Sequence, residues 1–327
     1  MKMQKKVGKK VNKRERVLAA YRGQKPDRVP CAFWYHFPAG YEYGEKAVQI
    51  HLDFFESSGT DLCKVMNENS CPDDPAIRTA ADWSGLKPFT MEEPFVRRQL
   101  ELVRRVSQRV DGQAVVLATV HGLVASAYHI LGGPDLYDAD GTVLGRHLRE
   151  NPEGMRHAFR LITDYLKALC RGCLEAGADG IYFASLGGER RMFTDEEFAA
   201  FIAPYEIEVL ESIRDVPCFN VLHMCKSDLN LERYLGYPAQ VLNWGVYEEN
   251  ISLQEGRALF GQNKVYLGGL DDRAGVIVEG SLEEIGAEVR RLIGEFGWHN
   301  FILGADCTLP TGLPAERMQA AARAAAL

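Results

Sequence analysis

The stretch Val221-Leu222-His223-Met224-Cys225 reads as the end of a buried β-strand that carries an imidazole and a thiol at its exit. Far along the chain, Gly304-Ala305-Asp306-Cys307 follows another short apolar run and adds a second thiol. One imidazole and two thiolates form the three-ligand set of a catalytic zinc site, which keeps its fourth position open. The spacing alone is a weak signal, since an isolated cysteine is most often simply buried.

Apolar runs of this kind recur along the chain and alternate with amphipathic segments. Strands are predicted at 28–34, 61–66, 114–120, 179–184, 218–222, 240–244, 265–269 and 300–304. Helices are predicted at 12–21, 41–58, 94–110, 151–175, 194–214, 229–235, 252–260, 281–296 and 314–326. Alternation of this type predicts parallel strands with right-handed crossovers, and eight such units close into an α/β barrel. We therefore expect a single (β/α)8 TIM barrel with an N-terminal helical extension. A doubly wound sheet is the alternative, but the first strand is not followed by a Gly-x-Gly-x-x-Gly motif.

Composition and charge narrow the class of protein further. The chain has 327 residues, of which 46% are hydrophobic and 25% charged, with a formal net charge of -7. This balance disfavours a general nucleic-acid binder, and no apolar run approaches the ~18 residues of a membrane span. Eight cysteines without a secretory signal indicate reduced thiols and a cytoplasmic location.

The N-terminal end is basic, with lysines and arginines concentrated between Lys2 and Arg16. A solvated tail is favoured there over a nucleic-acid or membrane role. We expect two regions: residues 1–25, a basic N-terminal extension with the first helix, and residues 26–327, the barrel domain.

In a barrel of this type, functional residues collect at the C-terminal ends of the strands. Besides the metal candidates, that rim is predicted to carry Trp34, His36, His121, Trp244 and Asp306. The two histidines could contact a substrate, and the two tryptophans could form an apolar floor under a flat ligand. Satisfied polar residues and ordinary packing are the structural alternatives. Asp306 is either a support for Cys307 or a plain rim acid.

A second cysteine pattern, Cys170-Arg-Gly-Cys173, also has metal or redox spacing. It lies inside the predicted helix 151–175, away from the strand ends. Helix packing is therefore the favoured interpretation of this pair.

The sequence resembles the uroporphyrinogen decarboxylase superfamily and, within it, the methylcobalamin:thiol methyltransferases. The resemblance extends over nearly the whole chain. It is carried by Arg14-Glu-Arg-Val-Leu-Ala-Ala-Tyr21, Asp27-Arg-Val-Pro30, Glu175-Ala-Gly-Ala-Asp-Gly-Ile181, His223-Met-Cys225, Leu267-Gly-Gly-Leu-Asp271 and Gly304-Ala-Asp-Cys-Thr-Leu-Pro310.

One segment separates the two branches of the superfamily. The decarboxylases have an arginine-containing segment after the first strand that holds a substrate with eight carboxylates. Here the same place reads Phe33-Trp-Tyr-His-Phe-Pro-Ala-Gly-Tyr41, which contains no arginine. A polycarboxylate needs several cationic partners, so the segment favours the methyltransferase branch.

The resemblance implies a site, a reaction and partners. The zinc ligands would be His223, Cys225 and Cys307, with a glutamate as a removable fourth ligand; Glu249 is favoured over Glu248. Glu249, Asp306 and His121 would act in catalysis, while Trp34, His36 and Trp244 would contact substrate or corrinoid. The implied cofactor is Zn²⁺, with methylcobalamin or another methylated corrinoid as co-substrate.

The implied reaction is methyl transfer from a corrinoid protein to a zinc-activated thiol or another small-molecule acceptor, tetrahydrofolate included. The expected protein is a monomer or homodimer without nucleic-acid or membrane partners. The alternative is a metal-free lyase that decarboxylates a porphyrinogen or a related polycarboxylate. A non-catalytic subunit that only docks a corrinoid protein is a further alternative.

Overall fold

Eight parallel strands form a nearly closed barrel in the computed structural model, which describes residues 12–133, 136, 141–216, 219–248 and 250–326. The strands are β1 (Cys31–Ala32), β2 (Leu62–Val65), β3 (Val115–His121), β4 (Gly180–Ser185), β5 (Val221–Met224), β6 (Val241–Trp244), β7 (Val265–Leu270) and β8 (Phe301–Ala305). Their order in the sheet is β1-β8-β7-β6-β5-β4-β3-β2, so the ladder runs around the barrel from β2 back to β1. The predicted TIM barrel is confirmed.

Helices surround this barrel. They are α1 (Lys13–Tyr21), α2 (Gly44–Ser57), α3 (Pro94–Val110), α4 (Leu123–Leu131), α5 (Val143–Glu150), α6 (Pro152–Glu175), α7 (Asp195–Phe201), α8 (Ala203–Glu211), α9 (Leu253–Phe260), α10 (Leu282–Phe296) and α11 (Ala315–Ala324). Short 3₁₀ helices occupy Ala80–Gly85 and Leu231–Tyr234. Within the described residues, no helix has both the length and the apolar character that crossing a membrane requires.

Several element boundaries differ from the sequence-based expectation. The strand predicted at 28–34 pairs with β8 only at Cys31 and Ala32, and Arg28 forms an antiparallel bridge with Ala326. The helix predicted at 194–214 is divided into α7 and α8. The cause is Pro204, which cannot donate the backbone hydrogen bond that a continuous helix needs at that position. The predicted start of the fifth strand, Cys218, lies outside the described residues.

Helix α4 is not predicted by the sequence pattern. Its residues are almost all buried, so it lacks the polar face that makes a surface helix recognisable. Gly122 precedes it, and the backbone N–H of Leu123 donates to the carboxylate of Glu206 at 3.1 Å. The helix follows β3, packs against β4 and contributes Ala125 and His129 to the lining of a cavity at this end of the barrel.

The barrel interior is a packed core in its lower half. Alternating strand positions fill it with apolar side chains: Ala32, Leu62, Val115, Leu117, Val221, Val241, Val265, Leu267 and Ile302. The remaining strand positions face the surrounding helices and belong to a second, larger apolar cluster. Filling the lower barrel leaves room for a cavity only near the C-terminal ends of the strands.

One buried carboxylate, that of Asp61, joins β1 to β2. Asp61 accepts hydrogen bonds from Arg16 at 2.6 Å, from Arg28 at 2.9 Å and from the backbone N–H of Cys31 at 2.8 Å. The backbone N–H of Asp61 also donates to the carbonyl of Cys31 at 2.7 Å. These contacts tie β1 to the start of β2 and dock α1, which carries Arg16, beneath the barrel.

Candidate metal centre

The strand pleat explains why the His-x-Cys pair presents both side chains to the same space. Successive residues of a strand alternate between faces, so positions two apart share a face. His223 lies in β5 and Cys225 follows its last residue, and both line the cavity at the top of the barrel. Cys307 arrives two residues after β8 ends and lines the same cavity.

The three side chains meet closely. The ligand atoms of His223, Cys225 and Cys307 all lie within 4.8 Å of one another. The two sulfurs are 4.0 Å apart, and Cys307 Sγ lies 3.4 Å from His223 Nε2. A tetrahedral zinc site separates two sulfurs by about 3.8 Å and a sulfur from a nitrogen by about 3.6 Å. The donor types and their separations therefore fit zinc with little adjustment.

The electrostatics of the two thiols are asymmetric. The Cys225 thiol donates toward Cys307, and this contact, with the nearby His223, lowers the pKa of Cys307 well below its ordinary value. The same contact, reinforced by burial, raises the pKa of Cys225. The directions of the two shifts make Cys307 the more acidic thiol of the pair. Thiolates are the form that binds zinc.

His223 is held in orientation by aromatic stacking. Its ring stacks on Tyr182 with centroids 5.4 Å apart and an interplanar angle of 27°. The Tyr182 hydroxyl donates to Asn243 at 2.9 Å, and Asn243 in turn donates to the carbonyl of Leu267 at 2.9 Å. His223 Nδ1 is buried and has no hydrogen-bond partner among the described residues. The ring is thus positioned by packing rather than by a carboxylate partner.

Asp306 stabilises the backbone around the centre. It is 1% exposed and accepts hydrogen bonds from the backbone N–H groups of Gly269 at 2.8 Å and Tyr247 at 3.3 Å. Burial raises its pKa well above the ordinary range, against the opposing effect of these bonds. Asp306 thereby ties the end of β8, next to Cys307, to the loop after β6. It does not line the cavity described below.

Acidic residues also lie close to the thiols. Glu248 forms an ion pair with Arg273 at 3.0 Å and is near enough to contribute to the raised pKa of Cys225. Asp272 is 1% exposed, and burial together with Cys307 raises its pKa to about 7. Glu249, the favoured fourth ligand in the sequence-based expectation, lies outside the described residues.

A cavity of about 410 Å³ opens beside the three candidate ligands. Among the predicted site residues, it is lined by Trp34, His36, His121, His223, Cys225 and Cys307. This volume is at the lower end of the range for small-molecule sites. The cavity therefore brings together residues from β2, β3, β4 and β5 with residues that follow β1 and β8.

The two predicted histidines occupy different parts of this cavity. His121, the last residue of β3, packs edge-on against His129 with centroids 5.0 Å apart. Burial, followed by the proximity of His129, lowers the pKa of His121 well below its ordinary value. His36 lies nearer the opening and contacts Glu68 at 2.8 Å. His121 is thus a neutral group within the cavity, and His36 is a rim residue.

The two predicted tryptophans are placed apart. Trp34 is 2% exposed, lines the cavity and packs edge-on against Tyr182. Trp244 points out of the barrel, because its neighbour Asn243 takes the inward position of β6. Its ring packs against Phe260, and its indole N–H donates to the carbonyl of Ile251 at 2.8 Å. The structure therefore does not bring Trp244 to the cavity, since this residue belongs to the packing between barrel and helices.

Lys64 is a cavity residue that sequence reasoning missed. It lies in the middle of β2, is 8% exposed and lines the cavity together with the candidate ligands. The available signal was a lysine inside the otherwise apolar run Leu62-Cys63-Lys64-Val65-Met66. Lysine is rarely buried without a partner, so its presence in a barrel strand is informative.

The Cys170–Cys173 pair is part of the helix packing, as the sequence predicted. Both residues are completely buried in α6. Neither belongs to the His223–Cys225–Cys307 group, which is the one cluster within the described residues that has metal-binding geometry.

The family follows from comparison with known proteins. A model of the family described as Uroporphyrinogen decarboxylase (URO-D) matches residues 52–326, so the chain belongs to this family. Methylcobamide:CoM methyltransferase MtbA from Methanosarcina acetivorans is 20% identical over 154 residues. That match spans 47% of this chain and 43% of the relative, less than half the length of each.

Two solved structures share the fold of this chain. A methyltransferase from Methanosarcina mazei superimposes with a TM-score of 0.75 at 17% identity, covering 96% of this chain and 98% of that chain. A B12-independent methionine synthase from Shewanella sp. W3-18-1, in complex with selenomethionine, has a TM-score of 0.61 at 11% identity. That superposition covers 91% of this chain and 97% of the other. At these identities the likeness establishes the shared fold.

Proposed function

We propose that this protein is a zinc-dependent corrinoid methyltransferase that moves a methyl group from a methylated corrinoid to a thiol or another small acceptor. The observation that carries the proposal is the convergence of His223, Cys225 and Cys307 at one end of the barrel. The partial similarity to Methylcobamide:CoM methyltransferase MtbA supports the methyltransferase branch of the family. A corrinoid protein is the expected donor partner.

Each part of the site has a task in this reaction. His223, Cys225 and Cys307 would hold the metal, and its open position would receive the acceptor. When bound, zinc would hold the acceptor thiol as a nucleophilic thiolate near neutral pH. Tyr182 fixes the plane of His223, and Trp34 with the other apolar walls limits water around the acceptor. In the transfer, a sulfur–carbon bond would form, the carbon–cobalt bond would break with its electron pair left on cobalt, and the proton of the acceptor thiol would be released to solvent.

The family name alone does not select this activity, because a decarboxylase is the other candidate. The lining residues of the cavity argue against a polycarboxylate substrate. Lys64 and Lys226 are the cations among them besides histidine, and the described lining contains no arginine. Bidentate recognition of several carboxylates favours arginine, so this lining suits a substrate with fewer negative charges.

The proposal is tested by transfer from methylcobalamin to thiols. The purified protein should convert 2-mercaptoethanol or a related thiol to its methyl thioether. The loss of methylcobalamin absorbance and mass spectrometry of the product measure this conversion. Cys307→Ser should abolish turnover, whereas Cys173→Ala, a buried cysteine in α6, should retain it. Decarboxylation of a porphyrinogen by metal-free protein, with His223→Ala fully active, would instead establish the lyase.

A further inference from the structure

Glu206 is a fully buried acid that contacts the exits of two barrel strands. It lies in α8, and its carboxylate accepts three hydrogen bonds from other parts of the chain. The backbone N–H of Leu123, at the start of α4, donates to Oε1 at 3.1 Å. The hydroxyl of Ser185, the last residue of β4, donates to Oε2 at 2.7 Å. The hydroxyl of Tyr237 donates to the same oxygen at 3.0 Å.

The backbone beside this carboxylate leaves room for it only because residue 122 is glycine. A side-chain carbon on Gly122 would lie 2.5 Å from Oε1 of Glu206 and 3.0 Å from the carbonyl oxygen of Ala184. The φ angle of Gly122 is -67°, which other residues adopt freely, so space rather than backbone conformation requires glycine here. The N–H of Gly122 also donates to the carbonyl of Ala184 at 2.7 Å. Glu206 therefore occupies a tight junction between the exits of β3 and β4.

The carboxylate and its three donors depend on one another. A buried acid is unfavourable unless its oxygens are hydrogen-bonded. Burial raises the pKa of Glu206 to about 7, and the hydrogen bonds from Ser185, Tyr237 and Leu123 oppose that shift. The three donor residues are themselves buried, so each would lose its acceptor in a place that water does not reach if the carboxylate were removed. Glu206 therefore fixes the positions of these donors.

The residues that Glu206 fixes adjoin the candidate metal centre. The carbonyl of Ser185 accepts a hydrogen bond from the backbone N–H of Cys225 at 3.0 Å. Ala184, one residue earlier in β4, is paired in register with His223. A displacement of the β4 exit would therefore move the backbone of a candidate ligand and one wall of the cavity together. The cavity residues on this wall are His121, Ala125, His129, Ala184 and Leu186.

We propose that Glu206 is a positioning residue for the metal centre: by fixing Ser185 at the exit of β4, it holds the backbone of Cys225 in place relative to Cys307. The inference rests on the proposed function, because it takes the three candidate ligands to bind zinc, and it adds an acid behind the barrel wall to that site. Within the described part of the chain, Glu206 is not among the residues that line the cavity, so it acts through Ser185 rather than by contact.

The zinc affinity of the folded protein tests this proposal. It is measured by competition with a chromophoric chelator at 25 °C, where circular dichroism verifies that each variant is folded. Glu206→Met keeps the length of the side chain but removes every acceptor, and it should raise the Kd for zinc about tenfold or more, as loss of a group behind a metal ligand does. Glu206→Gln keeps an amide oxygen for Leu123 and an amide N–H that can donate to the Ser185 hydroxyl, so its Kd should stay within about threefold of the parent value.

A purely structural role predicts a different result. In that case Glu206→Met would lower Tm but leave the Kd for zinc unchanged. It would also leave unchanged the visible absorption of the Co²⁺-substituted protein, which depends on the geometry of the ligands. Either outcome in the folded variant would overturn the proposal.

Two single-hydroxyl variants identify the route to the metal, and they remain informative if Glu206→Met does not fold. Ser185→Ala and Tyr237→Phe each remove one donor from the same carboxylate oxygen. Ser185→Ala should raise the Kd for zinc about fivefold, whereas Tyr237→Phe should leave it within about twofold. Glu208→Gln, on the same helix but paired with Arg160 at 2.6 Å, is the matched control and should bind zinc like the parent. Equal effects of the Ser185 and Tyr237 variants would overturn the proposal.

Hydrogen exchange separates failure of this inference from failure of the proposed function. In protein without zinc, the backbone amides of Leu123 and Cys225 should exchange about tenfold faster in Glu206→Met than in Glu208→Gln, because the junction opens more readily. A parent protein that binds no zinc would contradict the proposed function. Unchanged exchange at Cys225 would overturn the positioning role of Glu206, whether or not the parent binds zinc.

Discussion

Replacement of Asp61 by asparagine should strongly destabilise the barrel. The substitution preserves the shape of the side chain but removes the charge that Arg16 and Arg28 share at 2.6 Å and 2.9 Å. Asp61 is fully buried, and the side chains of Arg16 and Arg28 are 10% and 20% exposed, so solvent compensates the two guanidinium groups poorly. Breaking a buried ion pair by removing one partner costs about 3–5 kcal/mol.

That cost converts into a measurable shift in melting temperature. At ~2.1 cal/mol/K per residue, the unfolding entropy of the whole chain is about 0.7 kcal/mol/K, so a loss of ~4 kcal/mol lowers Tm by about 6 °C. Differential scanning calorimetry at neutral pH measures the shift. Because β1 and β2 are joined at Asp61, the variant should also weaken ligand binding at Trp34 and Lys64, which these strands position.

Asp27→Asn provides the comparison. Asp27 contacts the same Arg16 at 2.7 Å, but its side chain is 41% exposed. Exposed ion pairs contribute about 0–1 kcal/mol, so this variant should lose less than ~2 °C. A decrease in Tm for Asp61→Asn that is no larger than the decrease for Asp27→Asn would show that Asp61 does not stabilise the junction between β1 and β2.

Three further predictions concern the buried acid Glu206, the metal and Trp244. Burial raises the pKa of Glu206 to about 7 from its ordinary 4.5. Between these two pH values the folded protein retains a proton that the unfolded chain releases. Glu206 therefore makes folding less favourable as pH rises through this range. Urea titrations should therefore show that the free energy of unfolding of Glu206→Gln rises relative to that of the parent by up to ~3 kcal/mol between pH 4.5 and 7.5. A difference between the two proteins that stays constant with pH would contradict the raised pKa. Removal of zinc with a chelator should lower Tm by about 4 °C relative to protein at a free zinc concentration 100 times Kd, and His223→Ala should show no such difference. Trp244→Phe should cost about 1–3 kcal/mol in unfolding free energy through the unpaired carbonyl of Ile251, with KM for the thiol unchanged; a change in KM alone would restore Trp244 to the site.

Much of the fold can be predicted from the sequence because strand and helix periodicities differ so clearly. The apolar runs at β3 and β5, separated by strongly amphipathic helices such as α6, require parallel pairing. A segment that is buried on every side has no such periodicity. Helix α4 presents no polar face, so nothing in its pattern distinguishes it from a loop or an apolar strand.

The candidate centre was predictable for a different reason. Residues two positions apart at the end of a strand lie on the same face, whichever face that is. His223 and Cys225 are therefore expected on one side of β5 without knowledge of which side faces the barrel interior. Trp244 has no such partner. Parallel strands are apolar on both faces, so the sequence of β6 does not reveal whether Asn243 or Trp244 faces inward. Lys64 was missed because a single lysine in β2 has meaning only once its inward orientation is known.

The zinc content of the purified protein tests most directly whether the three candidate ligands hold a metal. Inductively coupled plasma mass spectrometry, after purification without chelators, should give about one zinc per chain, as expected for one three-ligand site. Cys307→Ser should contain little or none, while Cys173→Ala should match the parent, because Cys173 is a buried cysteine outside the centre. A fully folded parent protein without stoichiometric zinc, or undiminished zinc in Cys307→Ser, would show that His223, Cys225 and Cys307 do not form a metal centre.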